Sequence, residues 1–452
     1  MSTDTKKQIY KPRPVTGFPE WLPEVRLVEQ QWFDHIRRVF ESYGFCSIET
    51  PSVEELDVLR AKGEVDKEIY VIERLHKDDN EKSDARLALH FDQTVPLARY
   101  VAQNFNELVF PFKRYQMQRV WRGERPQAGR FREFYQCDID VIGIDTLPLH
   151  FDAEMPAIMW EVMNGLPGME NEKIQVRVNN RKIWLGMLDG IQTSDAAQVM
   201  RTIDKLEKIG VDAVRKILMT ELGVSDAHAD AVLKLAQFKA TPKTIATLAQ
   251  TVPAANALME EGINELTAVM NNLSHLPDGA VVADMAIVRG LDYYTGTVYE
   301  TVFVDDPGYG SICSGGRYDD LAGSYINKNL PGVGISVGFS RLFARMVDQK
   351  KIDITRKSPA HILLVMNAEE RRGEIAKTAQ ALRARGFNVE MYHAAKKIPD
   401  QLKYASRKGI PFVWFAEEDG THQVKNMSSG EQTKTDPQSW VLPEGYARHE
   451  AA

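Results

Sequence analysis

The sequence predicts an α+β molecule in which a domain built on an antiparallel sheet carries a helical insertion and is followed by a small α/β domain. Residues 119–143, RVWRGERPQAGRFREFYQCDIDVIG, read as two strands around one reversal. Residues 193–273 show helical periodicity, many Ala and Lys, and almost no strand signal. From residue 358 onwards, apolar strands alternate with amphipathic helices, the pattern of parallel pairing.

Taken in order, Val25, Val28, Trp32, Ile36, Val39, Phe40 and Tyr43 recur at three- and four-residue steps, which predicts an amphipathic helix ended by Gly44. A strand over residues 45–50 runs into Pro51. In the hairpin, Arg119, Val120, Trp121 and Arg122 form the first arm and residues 131–141 the second. Alternation puts Arg132, Phe134, Gln136, Asp138 and Asp140 on one face of that second arm. The reversal Pro126-Gln127-Ala128-Gly129 has turn chemistry, because Pro fixes φ and Gly permits φ > 0. In the last domain, strands are expected at 362–366, 387–392 and 410–415, with helices at 368–385 and 397–408 stopped by Gly386 and Gly409. The domain boundaries follow as 1–192, 193–273, 274–350 and 358–452.

Arg122, Arg125, Arg130 and Arg132 with the rings of Phe131 and Phe134 around one turn suit a polyphosphate nucleotide, although an arginine-rich hairpin taken alone is more often simply solvated. Three further blocks shift that balance. IVRGLDYYTGTVYE at 287–300 sets Arg289 beside Gly and the pair Tyr293 and Tyr294. SGGRYD at 314–319 adds a glycine pair where backbone can approach a ligand closely. GVGISVGFSRLFARM at 332–346 reads as a strand entering a helix with Arg341 in its first turn, where a cation opposes the helix dipole and is better explained by an anionic ligand.

Composition sets limits. A net charge of −7 excludes a globally basic nucleic-acid binder, so RNA contact must come from local patches such as Arg119, Arg122, Arg125, Arg130 and Arg132. Cys46, Cys137 and Cys313 lack CxxC spacing and support neither a disulfide framework nor a zinc site. No run of ~18 apolar residues is present and the N-terminus lacks the apolar core of a signal peptide, so a cytoplasmic protein without a membrane partner is expected.

These blocks together resemble the histidyl-tRNA synthetases, a family of class II aminoacyl-tRNA synthetases. The 119–143 segment resembles class II motif 2, the 332–346 segment motif 3, and the stretch before Pro51 motif 1. RGLDYYTG and SGGRYD resemble the two histidine-specific signatures, and the likeness runs from about residue 10 to about residue 437. The resemblance implies a class II catalytic domain with an antiparallel sheet, a helical insertion that approaches the tRNA acceptor arm, and a C-terminal anticodon-binding domain. It implies a homodimer whose interface includes motif 1. The implied activity is ATP-dependent formation of histidyl-adenylate and transfer of histidine to tRNA(His), with Mg²⁺ accompanying ATP and no all-protein metal cage.

By the same resemblance, Arg122 and Arg289 hold the α-phosphate from opposite sides. Phe134 stacks on adenine beneath Arg341, Arg130 and Arg132 meet the terminal phosphates, and Glu124 faces adenine or the terminal adenosine of tRNA. Asp92 and Thr94 take the α-ammonium of histidine and Gln136 the carboxylate end. Asp140 and Tyr294 read the imidazole, and Tyr293 and Tyr318 complete the histidine-binding set. Gln127, at the hairpin tip, faces the tRNA acceptor end. The family usually has Arg two positions before the acid at 92, where this chain has His90, so the support around Asp92 is expected to differ. Two other readings stand beside this one: the synthetase-like regulatory subunit of ATP phosphoribosyltransferase, and a class II synthetase for threonine or proline. Retention of Arg289 and of roughly 90 residues after Pro359 argues against the first, and RGLDYYTG with SGGRYD against the second.

Overall fold

A computed structural model describes residues 10–60, 68–75, 86–126, 129–193, 195–288, 294–443 and 446. The chain divides into two compact units, one formed by the residues up to Pro19 together with Phe33–Gln349, the other by Glu20–Trp32 together with Lys350–Ala452. The predicted N-terminal helix spans Pro23–Ser42, with Trp32, Ile36 and Phe40 fully buried, and Gly44 follows it with φ of 79°.

Twelve strands of the described residues belong to the first unit: β1 Cys46–Ser47, β2 Val53–Glu55, β3 Val71–Ile72, β4 Leu87–Leu89, β5 Phe112–Trp121, β6 Glu133–Ile142, β7 Ile174–Asn180, β8 Lys239–Ala240, β9 Val281–Asp284, β10 Thr297–Phe303, β11 Cys313–Tyr318 and β12 Gly332–Val337. Nine form one sheet in the order β1-β5-β6-β12-β11-β10-β7-β9-β8, and β2-β4-β3 form a small second one. From β5 to β7 every neighbour is antiparallel, as expected. Parallel pairs also occur at the margins of this sheet, at β1/β5 and β7/β9. Parallel neighbours need a long crossover, and between β7 and β9 that crossover is the helical stretch. It holds helices Ala196–Ile203, Val211–Thr220, Asp226–Ala236 and Ala257–Asn272, three of them started by side-chain caps from Asp195, Ser225 and Asn256. It also contains the two-residue strand β8, for which the sequence carries no signal.

Register explains the glycines of the signature blocks. Asp140 on β6 lies opposite Gly334 on β12, and Gly334 is next to Gly315 on β11 by one step of the ladder. A Cβ on Gly334 would stand 2.0 Å from Asp140 Oδ1, one on Gly315 2.1 Å from the Gly334 carbonyl oxygen, and one on Gly316 2.7 Å from the Tyr294 ring. Only a residue without Cβ lets these strands carry a carboxylate and a phenol ring across their surface. Behind the sheet, helix His150–Gly165 buries Met155, Ile158, Met159, Val162 and Met163, and its Asp152 pairs with Arg317 at 2.5 Å.

In the second unit, β13 Ile362–Leu364, β14 Val389–Met391, β15 Phe412–Ala416, β16 His422–Asn426 and β17 Gln432–Thr435 form a sheet in the order β14-β13-β15-β16-β17. The first three strands are parallel and match the expected apolar runs. The antiparallel hairpin β16/β17 is polar except for the buried Val424 and escapes hydrophobic periodicity. Helix Ile398–Lys408 ends on Gly409 in the left-handed region at φ 65°, as Gly at that position predicts. Its buried Gln401 accepts from the Met366 amide and donates to the Met366 and Lys396 carbonyls, tying the helix to the chain just past β13. No helix among the described residues is long and apolar enough to cross a membrane.

Candidate active site

A cleft of about 320 Å³ opens over the β5/β6 hairpin and the start of helix Phe339–Asp348. Arg122, Glu124, Arg130, Phe134, Gln136 and Arg341 all line it. Beside it lies a recess of about 40 Å³ lined by Thr94, Asp138, Asp140, Tyr294, Tyr318 and Ser336, which shares Ser314 and Ser336 with the cleft. Residues from five separate segments of sequence therefore converge on two adjoining cavities, one mainly cationic and one mainly anionic.

The cleft is cationic because β5 and β6 end there. Arg122 stands one residue beyond β5, where its Nε donates to the Phe91 carbonyl at 3.0 Å and its guanidinium lies 5.3 Å from the Phe134 ring centroid. Arg130 is more than half exposed and 3.8 Å from Glu124. Arg341 donates to the carbonyls of Tyr309 and Ser311, and the Tyr309 hydroxyl donates back to the Arg341 carbonyl at 2.8 Å. The Arg341 guanidinium lies 4.6 Å and the Arg345 guanidinium 4.5 Å from the Tyr309 ring centroid, and Arg345 is held by Asp306 at 2.5 Å. A cation in the first turn of a helix is thus supported by ring and carbonyl contacts, which the dipole argument from sequence does not anticipate. Tyr309 lies in a short 3-10 turn and carried no sequence signal.

The recess is anionic and buried. Asp140 pairs with the fully buried Arg114 at 2.5 Å and accepts from the Tyr318 hydroxyl at 2.9 Å. Asp138 is two residues away on the same face, and burial pushes its carboxyl up to about 7 despite Arg114 and Ser336 pulling the other way. Burial, then the charges of Asp140, Asp138 and Asp92, push the Tyr294 phenol up, so it stays protonated. Gln136 bridges the two cavities, donating to the Ser336 hydroxyl at 2.8 Å.

Not every expected residue lines a cavity. Asp92, just before helix Thr94–Gln103, accepts from the Val95 amide of its first turn at 3.1 Å, a structural task beside any binding one. Arg132 is turned to support: its Nε donates to the Glu124 carbonyl at 3.3 Å and its amide to the Gly17 carbonyl at 2.7 Å. His90 does not support Asp92 in the way an arginine would. Its Nε2–H donates to the Arg119 carbonyl at 2.8 Å, its ring lies 5.4 Å from Trp121, and burial lowers its pKa so that it is neutral. Arg289, Tyr293 and Gln127 lie outside the described residues. Sequence reasoning missed Arg114, Ser336 and Tyr309; Arg114 sits in the first half of β5, five residues before the arm that the pattern marked.

A family model described as histidyl-tRNA synthetase matches residues 17–342, and one described as an anticodon binding domain matches residues 360–441. The histidine-tRNA ligase of Thermobifida fusca is 54% identical over 438 residues, covering 96% of this chain and 99% of that protein. The crystal structure of histidyl-tRNA synthetase from Nostoc sp. PCC 7120 aligns with a TM-score of 0.84 at 37% identity, over 95% of this chain and 97% of that one. A structure described as an ATP phosphoribosyltransferase regulatory subunit/histidyl-tRNA synthetase from Bacillus halodurans aligns at a TM-score of 0.71 over 88% of this chain and 97% of that one, but at 19% identity it speaks to the fold alone. With Tyr294 of one histidine signature and Ser314, Gly315 and Tyr318 of the other lining the recess, and near-complete coverage at 54% identity, the chain belongs to the histidyl-tRNA synthetase family.

Proposed function

We propose that the protein activates histidine with ATP to histidyl-adenylate and transfers the histidyl group to the 3′ end of tRNA(His). The observation that carries this reading is the adjacency of an arginine-lined cleft and a buried acidic recess that share Ser314 and Ser336. Adenylate formation needs the histidine carboxylate to attack the α-phosphorus in line, so the protein must align two anions and neutralise charge rather than supply a nucleophile. Guanidinium groups suit the phosphates because they are permanently charged and bind bidentately.

In this reading Arg122, with Arg289, holds the α-phosphate, Phe134 and Arg341 hold adenine, and Arg130 reaches the terminal phosphates. Arg132 acts through Glu124, whose carbonyl it holds. Thr94 and Asp92 take the α-ammonium, Gln136 the carboxylate end, and Asp140, Tyr294, Tyr293 and Tyr318 the ring side. Glu124 is the carboxylate lining the cleft, which suits a Mg²⁺ ion held chiefly by phosphate oxygens. Such an ion offsets charge on the β- and γ-phosphates when ATP binds. Residues 1–192 and 274–350 then form the catalytic domain, 193–273 meets the acceptor arm, 358–452 reads the anticodon, and Gln127 faces the acceptor end. A cytoplasmic homodimer with motif 1 at its interface completes the reading.

Pyrophosphate exchange into ATP, run with each amino acid in turn on wild type and Arg289→Ala, tests it. Exchange with histidine only, abolished in the variant, is the expected result. Histidine binding without exchange would instead favour a regulatory protein on the same fold.

A further inference from the structure

Four consecutive residues, the last two of β7 and the first two of helix Arg181–Gly190, reach in two directions. Asn179 and Arg181 hold the two ends of the RGLDYYTG segment. The buried Asn179 donates through Nδ2 to the Ile287 carbonyl at 2.8 Å and to the Met285 carbonyl at 3.4 Å, just before that segment. Arg181 donates through its guanidinium to the Tyr294 carbonyl, and through its amide to the Gly296 carbonyl at 2.9 Å, at the far end. Asn180 and Lys182 hold instead the last helix of the insertion, Ala257–Asn272. Asn180 Nδ2 donates to Glu265 at 2.8 Å, and Lys182 Nζ donates to Glu265 at 2.6 Å and to Glu261 at 2.7 Å. We infer that Asn179 and Arg181 are positioning residues that fix where the histidine signature begins and ends on the sheet, and that Glu265 of the insertion sets them through the residues between. This rests on the proposal that the recess takes histidine.

The division of labour has a physical origin. Asn179 and Asn180 end a strand, so their side chains leave on opposite faces. Asn180 also caps the helix, accepting from the Lys182 amide at 2.9 Å, which fixes the backbone at Arg181 between the two sets of contacts. Residues 285–288 and 294–296 belong to no strand or helix, so their carbonyls take partners from elsewhere in the chain. A guanidinium donating to such a carbonyl makes a charge-assisted bond, stronger than a neutral one. Tyr294, whose carbonyl Arg181 holds, lines the recess, whereas Asn179, Arg181 and Glu265 line neither cavity and therefore act through that segment. The seat of the insertion helix is tight: a Cβ on Gly262 would stand 2.7 Å from the Ile183 amide nitrogen, and one on Gly186 2.5 Å from the Met259 amide nitrogen. Helices packed this closely pass a displacement on rather than absorb it.

The test measures the KM for histidine and for ATP in pyrophosphate exchange without tRNA, together with histidine affinity by calorimetry and the melting temperature. Arg181→Ala should weaken histidine in both assays by about 10–100-fold, the scale of a lost hydrogen bond from a charged group. The KM for ATP should stay within about twofold, since the cleft keeps its own arginines and Arg181 is no part of it. Arg181→Lys retains a cationic donor and should recover most of the loss. Glu265→Ala, remote from both cavities, should raise the histidine KM by about 3–10-fold even without tRNA. Added to Arg181→Ala it should cost less than it does alone, because both substitutions act through one segment. Unchanged histidine affinity in folded Arg181→Ala overturns the inference. So does an equal weakening of histidine and ATP with no recovery in Arg181→Lys, the mark of a residue that only supports the fold. Full additivity of the two substitutions overturns the part given to Glu265. Should Arg181→Ala fail to fold, Arg181→Gln, which keeps a neutral donor, decides by the same ratio of histidine to ATP. Absence of exchange in wild type speaks against the proposed reaction alone, since histidine affinity by calorimetry still ranks the variants.

Discussion

The cleft and the recess solve opposite electrostatic problems with opposite means. In the cleft the cations are partly exposed and lean on backbone carbonyls or rings: Arg122 on the Phe91 carbonyl and Phe134, Arg341 on Tyr309. In the recess the charges are buried and cross-braced, with Arg114, Asp140 and Tyr318 locked at 2.5 and 2.9 Å. Carbonyl and ring contacts give an arginine a place without cancelling its charge, so the charge remains available for an anion. A buried ion pair is different, because breaking it strands a charge in low dielectric. Binding a polyphosphate tolerates adjustable partners; distinguishing one ring from others requires fixed ones.

The sharpest way to test this contrast is to remove one charge from each cavity. Arg122→Ala should cut histidine-dependent exchange by roughly 10³-fold or more, the scale of losing a group that stabilises transition-state charge, with the melting temperature nearly unchanged. Arg114→Met should do the reverse first: a loss of about 3–5 kcal/mol in stability, measured by denaturant unfolding, because Asp140 is left buried without its cation. Equal stability losses in the two variants would erase the distinction. Tyr309→Ala removes the ring that Arg341 and Arg345 both contact and should raise the KM for ATP by roughly 3–10-fold, the worth of a cation–π contact of about 1 kcal/mol.

The smallest effect is a pH dependence. Burial raises the Asp138 carboxyl to about 7, so the proton favours the folded protein. Its stabilising contribution is full below the unfolded pKa near 4 and is lost as pH rises through 7. Asp138→Asn stays neutral throughout and should melt a few degrees above wild type at pH 8, the gap shrinking as pH falls from 7 towards 4. A gap independent of pH would mean that the carboxyl is not held by burial.

The second arm of the hairpin was legible because two-residue alternation is rigidly tied to face: Phe134, Gln136, Asp138 and Asp140 stand on one side of β6 as expected. The glycines of SGGRYD were legible as sites of close approach, although what approaches them, Gly334 and the Tyr294 ring, depends on strand order. Arg114 was not legible, since Phe112–Gln118 mixes apolar, basic and amide residues and only pairing with β6 makes it strand. Tyr309 was hidden because a 3-10 turn has no period to read. The helical stretch was plain, but its place as the crossover between parallel strands requires knowing which strands are neighbours.

The glycines of β11 and β12 also bear on how such a site could change. The room for Asp140 and Tyr294 is made by side chains that are missing from the ladder: an added Cβ would lie 2.0 Å from one and 2.7 Å from the other. A wall made of large side chains can be moved back by trimming them, but a wall of bare backbone has nothing left to trim. Substitution at these glycines can only fill. Engineering this recess for a bulkier amino acid would therefore have to shorten Tyr294 or Tyr318, which line it, or respace the strands themselves.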